Sequence, residues 1–159
     1  MDNSQAAFYK SPIGTIEIKH SGKGISSLIF KEKEKTDSII PENLLDSINQ
    51  LDEYFSGSRE VFELDLDLQG TEFQKKVWSK LFEIPFGKTY SYMDIAKKLG
   101  NTKTIRAVGK AIAKNPVSII VPCHRVIGSD GKLTGYAGGI WRKKWMLEHE
   151  RKISQLSLF

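Results

Sequence analysis

The sequence holds one cysteine, within Val121-Pro122-Cys123-His124-Arg125-Val126. A thiol beside an imidazole is a place for nucleophilic chemistry: the thiolate is the reactive form, and a nearby base or cation must populate it. A lone cysteine forms no internal disulfide and supplies no thiolate cage for zinc. Any chemistry at Cys123 is therefore that of a single reactive sulfur; the competing reading is a small buried hydrophobe. His124 and Arg125 follow directly, but neighbours on an extended chain point to opposite sides. A water would then have to bridge sulfur and imidazole, and an acid should orient the ring. The apolar-patterned stretch from about Ile140 to Arg151 predicts a helix carrying Glu148 and Glu150, and spacing does not choose between them.

Several elements must position this group. Val117 to Val121 predicts a short buried strand ended by Pro122. Upstream, Ser91 with Asp94 caps a short helix buried through Ile95, Ala96 and Leu99, and Gly100-Asn101 ends it. A second helix runs from about Thr102 to Lys114 and stops at Asn115-Pro116. Two short helices joined by a glycine-containing turn form a helix-turn-helix. In the second, Ile105, Val108 and Ile112 face inward, while Arg106, Gly109, Lys110 and Ala113 share the outer face. A mid-helix glycine costs roughly 1 kcal/mol against alanine, so an exposed one suggests a surface that something approaches closely. Small side chains permit that approach, and the two cations suit phosphates or bases. Between cysteine and final helix, Gly128 to Gly139 holds five glycines and Tyr136. Such a loop can wall a pocket for a flat ligand, with Tyr136 for stacking.

The first 69 residues read as a scaffold without a catalytic constellation. Ile16 and Ile18 alternate with Glu17 and Lys19 in one strand, Ile25 to Phe30 forms a second, and Phe62, Leu64, Leu66 and Leu68 mark a third. Pro41 opens a helix with Leu44, Ile48, Leu51 and Phe55 on one face, closed by Gly57. Lys31 to Lys35 is a mixed-charge solvated loop. Gln69-Gly70 is the expected domain boundary, and Thr71 with Gln74 caps a helix bearing Phe73, Val77 and Leu81. The chain has 159 residues, 40% of them hydrophobic, and a net charge of +5. That is enough for a real core, and it permits a nucleic-acid partner. No run of about 18 apolar residues is present for a membrane span. One cysteine and an N-terminus without the order of an export signal predict a cytoplasmic setting.

Asn115-Pro116-Val117 through Pro122-Cys123-His124-Arg125-Val126 resembles the active-site signature of the O6-alkylguanine-DNA alkyltransferases, also called methylated-DNA–protein-cysteine methyltransferases. Supporting segments lie in family order: Gly70-Thr71-Glu72-Phe73-Gln74, Pro85-Phe86-Gly87, Ser91-Tyr92, Arg106-Ala107-Val108-Gly109, Gly135-Tyr136-Ala137-Gly138-Gly139 and His149-Glu150. The resemblance implies an α+β fold. A ribonuclease-H-like α/β domain (1–69) precedes a mostly helical, winged-helix-like domain (70–159) containing the helix-turn-helix. It implies direct, single-turnover repair: the alkyl group of O6-alkylguanine in duplex DNA passes to Cys123 after the nucleotide is flipped out.

In that scheme His124 acts through a water, Glu150 rather than Glu148 orients it, and Asn115 holds the adjoining turn. Tyr92 promotes nucleotide rotation and donates a proton to the leaving guanine. Arg106 enters the duplex, and Met93, Asn101, Gly109, Lys110 and Ser129 join it in contacting DNA. Tyr136, Ala137 and Val126 line the base pocket. Some family members carry a serine where this chain has Ala137, which puts reaction with bulky free bases in doubt. The metal-binding Cys/His set of some members is missing, so neither metal nor cofactor is expected. The partner is duplex DNA bearing the lesion, met by a monomer, with cooperativity on DNA and O4-alkylthymine repair left open. A lesion-binding module without chemistry and a sequence-reading helix-turn-helix regulator are the alternatives.

Overall fold

The computed structural model describes residues 5–32 and 39–156; the expected solvated run at Lys33 to Lys35 lies outside them. The chain divides at Gln69/Gly70 into two compact units.

In the first unit, β1 (Gln5–Ser11), β2 (Gly14–His20) and β3 (Ile25–Lys31) form an antiparallel sheet in the order β1-β2-β3. Alternation puts Ile16 and Ile18 of β2 on the covered face, with Ala7 of β1 opposite Ile18. Helix α1 (Glu42–Ser56) contributes Leu44, Leu51, Tyr54 and Phe55 to the same core, and Gly57 ends it at φ +91. Strand β1 has no counterpart among the sequence expectations, because its apolar residues do not alternate cleanly. The strand expected over residues 62–68 is instead one isolated bridge, Leu66 to Ile25. Two things prevent a longer ladder. The Gln50 side chain takes both main-chain groups of Glu63, at 2.9 and 3.1 Å. The segment also passes Gly24 so closely that a Cβ there would lie 2.8 Å from the Leu66 backbone.

Among the described residues, the second unit is built on four α-helices. Helix α2 (Glu72–Leu81) starts at a complete capping box between Thr71 and Gln74. Its Trp78 is buried and donates its indole N–H to the Ala111 carbonyl at 2.8 Å. Helix α3 (Tyr92–Lys98) starts at a second capping box, Ser91 with Asp94, and Gly100 follows at φ +84. The next helix is shorter than the spacing predicts. Asn101 caps a 3₁₀ turn (Thr102–Thr104), and α4 spans only Ile105–Ala113. The Asn101 side chain accepts the Lys103 N–H at 2.9 Å, so the cap sets up the tight turn that precedes the α-helix. Strands β4 (Tyr90–Ser91) and β5 (Val126–Ile127) form a two-residue parallel pair, and α5 (Ile140–Leu156) closes the unit. Among the described residues, no helix is long and apolar enough to cross a membrane.

Trp78 ties α2 to the end of α4, the helix that carries the basic face. Trp78→Phe keeps an aromatic side chain but removes the N–H and the five-membered part of the buried ring. Losing one buried hydrogen bond costs about 1–2 kcal/mol. The unfolding free energy should fall by at least that amount, read as a lower urea midpoint at unchanged slope.

Candidate active site

Val117 to Val121 is buried, yet beyond a single bridge at Val117 it forms no strand. Asn115 explains why. Its side-chain oxygen accepts the Val117 N–H at 3.0 Å, and its side-chain NH₂ donates to the Val121 carbonyl at 2.9 Å. One amide therefore brackets the whole segment and folds it back on itself. Inside the bracket, the Ile120 N–H reaches the Ser118 carbonyl at 2.8 Å across Ile119, whose φ is +73. That is a γ-turn of the strained hand, and for a β-branched residue it costs of order 1–3 kcal/mol. Ile119 is 1% exposed; burying its side chain offsets the strain. A second tight turn follows at Pro122 (φ −79, ψ 61), where the Cys123 N–H bonds to the Val121 carbonyl at 2.7 Å. Cys123 then opens a 3₁₀ turn through Arg125.

That turn changes the expected geometry of the neighbours. His124 and Arg125 do not diverge; both reach Glu150 on α5. His124 Nε2 lies 2.6 Å from Glu150 Oε2, and Arg125 Nε donates to Oε1 at 2.7 Å. The guanidinium also donates to the Ile84 carbonyl at 2.8 Å and lies over the Phe86 ring. Burial alone would raise the Glu150 pKa, but the charges and hydrogen bonds of His124 and Arg125 outweigh it and hold the carboxyl well below its usual range. An ionised carboxylate only accepts, so Nε2 carries the proton. In neutral imidazole, Nδ1 then bears the free lone pair. Nδ1 is buried and has no hydrogen-bond partner. Glu148 is exposed and makes no contact with the imidazole.

Cys123 itself is 7% exposed. Burial pushes its thiol pKa up, while Asn115 and Lys143 pull it down. The sulfur lines a cavity of about 580 Å³ between α4 and the glycine loop. Ile105, Gly109, Ile112 and Ala113 form one wall; Ser129, Thr134, Gly135, Tyr136 and Ala137 form the other. The Tyr136 hydroxyl is buried, with the Ser118 side chain within its reach. Its pKa is raised well above the ordinary phenol value, first by burial and then by the Cys123 charge. Tyr92 also lines the cavity, and its hydroxyl lies 2.6 Å from that of Thr134.

The remaining expected residues separate into groups. Val126 does not line the cavity: it is fully buried in β5, opposite Tyr90. Arg106 and Lys110 are exposed on α4, Asn101 is exposed at the preceding cap, and Met93 is half-buried on α3. A Cβ on Gly109 would meet only the Tyr92 ring, at an ordinary 3.9 Å. Nothing inside the protein therefore requires a glycine there. Among the described residues, no group of three His, Cys, Asp or Glu is placed to hold a metal ion. Sequence reasoning passed over Arg125 as a holder of Glu150, and Lys143 and Thr134 altogether. One signal was present: Lys143, Met146 and Glu150 recur at helical spacing on one buried face of α5, and a lysine on such a face needs a partner.

Comparison with known proteins bears on this site. Residues 72–152 match the model of the 6-O-methylguanine DNA methyltransferase DNA-binding domain, and residues 6–68 match that family's ribonuclease-like domain. A methylated-DNA–protein-cysteine methyltransferase of Methanosarcina mazei is 48% identical over 148 residues, covering 89% of this chain and 93% of the relative. One of Mycobacterium leprae is 44% identical over 156 residues, 94% of each chain. The crystal structure of the Mycobacterium tuberculosis O6-methylguanine methyltransferase superposes with a TM-score of 0.86 at 41% identity, covering 98% of this chain and 99% of that one. The M. tuberculosis protein in complex with DNA superposes at 0.83 with 43% identity and 92% of each chain covered.

The depressed Glu150 pKa has a consequence for stability. A carboxyl whose folded pKa lies below its unfolded value stabilises the fold above the unfolded pKa, and that contribution is lost as pH falls toward the folded one. The difference in urea midpoint between wild type and Glu150→Gln should be constant from neutral pH down to about 4.3. It should shrink progressively below that. A difference independent of pH down to the acid limit would show that Glu150 is not held as a carboxylate.

Proposed function

The chain belongs to the 6-O-methylguanine DNA methyltransferase family, and from that membership we propose that it repairs duplex DNA by moving the alkyl group of O6-alkylguanine onto Cys123. The observation that carries this reading is the cavity with the one cysteine at its base and the His124–Glu150 pair beside it. Glu150 fixes the Nε2–H tautomer, which leaves Nδ1 as a base. Through one water, Nδ1 takes the thiol proton. The thiolate attacks the alkyl carbon, a sulfur–carbon bond forms, and the bond from that carbon to guanine O6 breaks. Tyr92 supplies the proton that restores neutral guanine. A thioether is a poor leaving group, so the sulfur is spent and each molecule acts once.

The alkyl carbon sits in a base stack, out of reach of a buried sulfur. The nucleotide must therefore rotate out, at a cost of a few kcal/mol. The exposed face of α4 suits the approach to DNA. Arg106 fills the space the guanine leaves, while Lys110, Asn101 and Met93 meet the surrounding backbone and groove. Gly109 lets the helix approach closely. Ser129, Tyr136 and Ala137 receive the base, and the Tyr136 hydroxyl is a hydrogen-bonding group for it. Val126 supports this wall from behind through β5 and does not touch the base. The protein acts as a monomer in a cytoplasm that keeps its thiol reduced.

Two measurements test this. Intact mass after incubation with an O6-methylguanine duplex should rise by one methylene, mapped to Cys123, and Cys123→Ser should bind the duplex without gaining mass. An unmodified wild-type protein that still binds would leave a lesion-recognition module in place of a transferase. Gly109→Ala should raise the thermal midpoint, since alanine favours a helix interior by about 0.8–1 kcal/mol. The same substitution should weaken duplex binding severalfold; undiminished binding would remove α4 from the DNA interface.

A further inference from the structure

The segment between Cys123 and α5 has a cavity on each side. Ser129, Thr134, Tyr136 and Ala137 face the front cavity, which holds the cysteine. Gly131 and Leu133 face a rear cavity of about 300 Å³, lined on its far side by Ile127, Leu147 and the loop at 87–89. Leu133 and Thr134 are neighbours turned to opposite sides, as successive residues of an extended chain are. The segment is therefore a partition one residue thick.

The two walls of the front cavity are unequally held. On α4, Val108 and Ile112 are buried, and Trp78 holds the Ala111 carbonyl at 2.8 Å. The partition is held chiefly at its ends. Before it, Val126 and Ile127 pair with Tyr90 and Ser91; after it, Arg142 donates to the Gly138 carbonyl at 2.8 Å. Between these ends, Thr134 carries the ties: its hydroxyl meets that of Tyr92 at 2.6 Å, and its carbonyl takes a long 3.4 Å bond from Lys143. The tip bonds to itself. The Gly128 N–H reaches the Lys132 carbonyl and the Gly131 N–H the Gly128 carbonyl, each at 2.9 Å, and Lys132 pairs with Asp130. Among the described residues, no hydrogen bond or ion pair joins 129–133 to anything outside 128–132. A Cβ on Gly131 would meet nothing within 4 Å.

We propose that the rear cavity sets the size of the alkyl group Cys123 accepts: the partition yields backward into it when a group larger than methyl fills the front cavity, and Leu133 limits how far. The inference deepens the transferase reading and rests on Cys123 being the acceptor. A close-packed wall has nowhere to go, and extra carbons forced against it strain the site. A wall with open volume behind it moves without overlapping its neighbours. The tip carries its own hydrogen bonds as it moves, so no main-chain group is stripped of its partner. What retreat costs is the tie at Thr134. Leu133 touches neither sulfur nor guest; it acts through Thr134 and Tyr136 and is a positioning residue.

The test uses the full chain without DNA and fills the rear cavity from either side, by Leu133→Trp on the partition or Leu147→Trp on α5. Rates of Cys123 S-alkylation by methyl iodide and by benzyl bromide are measured in each variant relative to wild type. Both variants should lose about tenfold with the benzyl reagent and stay within about twofold with the methyl reagent. Equal losses with both reagents would mean a general distortion and overturn the assignment. So would an unmoved benzyl rate, or a loss confined to Leu133→Trp, since filling from α5 removes the same volume. Duplexes bearing O6-methylguanine and O6-benzylguanine should show the same selective loss. A protein that passes the reagent test but takes no alkyl group from either duplex would refute the transferase reading and not this one.

Discussion

A carboxylate cannot stay ionised in a protein interior unless cations or donors surround it, and Glu150 satisfies that requirement with two residues from one turn. His124 and Arg125 follow the cysteine directly, so holding Glu150 also locks the Cys123 turn against α5. The same contacts fix the imidazole tautomer. Arg125 reaches further, to the Ile84 carbonyl and the Phe86 ring, and so ties the loop after α2 to the same centre. Removing one partner would strand a charge, which is far more costly than losing an exposed ion pair. The active segment, the loop and the final helix therefore stand or fall together.

Around that centre the backbone is bent under constraint. The Asn115 amide closes the segment before the cysteine at both ends, and Ile119 accepts a left-handed conformation inside it. A sulfur at the base of a cavity must be aimed by its own backbone, since a cysteine side chain has a single rotatable bond before the sulfur. Two consecutive tight turns provide that aim. They also use up main-chain groups that would otherwise pair with a strand, so the segment stays buried without joining a sheet.

Much of this was legible in the sequence wherever the controlling interaction is local. The capping boxes at Thr71 and Ser91 are patterns of residues three apart, and both helices begin there. The faces of α4 follow from its spacing, and α1 runs from Pro41 to Gly57 as its punctuation indicates. The resemblance placed Glu150 rather than Glu148 beside His124, a choice spacing alone left open. The misreadings arise where distant groups decide. Residues 62–68 alternate like a strand, but Gln50 captures their backbone. Residues 117–121 are apolar enough for a strand, but one asparagine folds them into turns. Val126 sits in the signature yet packs in β5. Lys143 and Thr134 gain their meaning only from what the fold brings beside them.

The hydroxyl pair of Tyr92 and Thr134 has a consequence for selectivity. The phenol has a good partner in the Thr134 hydroxyl, which lines the same cavity. A guest can take Tyr92 over only if it offers an acceptor of comparable quality, because the exchange must repay a net hydrogen bond of roughly 1 kcal/mol. An apolar visitor of the right size gains nothing from Tyr92 and breaks its bond. The cavity thus carries its own internal competitor, which sets a threshold that shape alone does not meet.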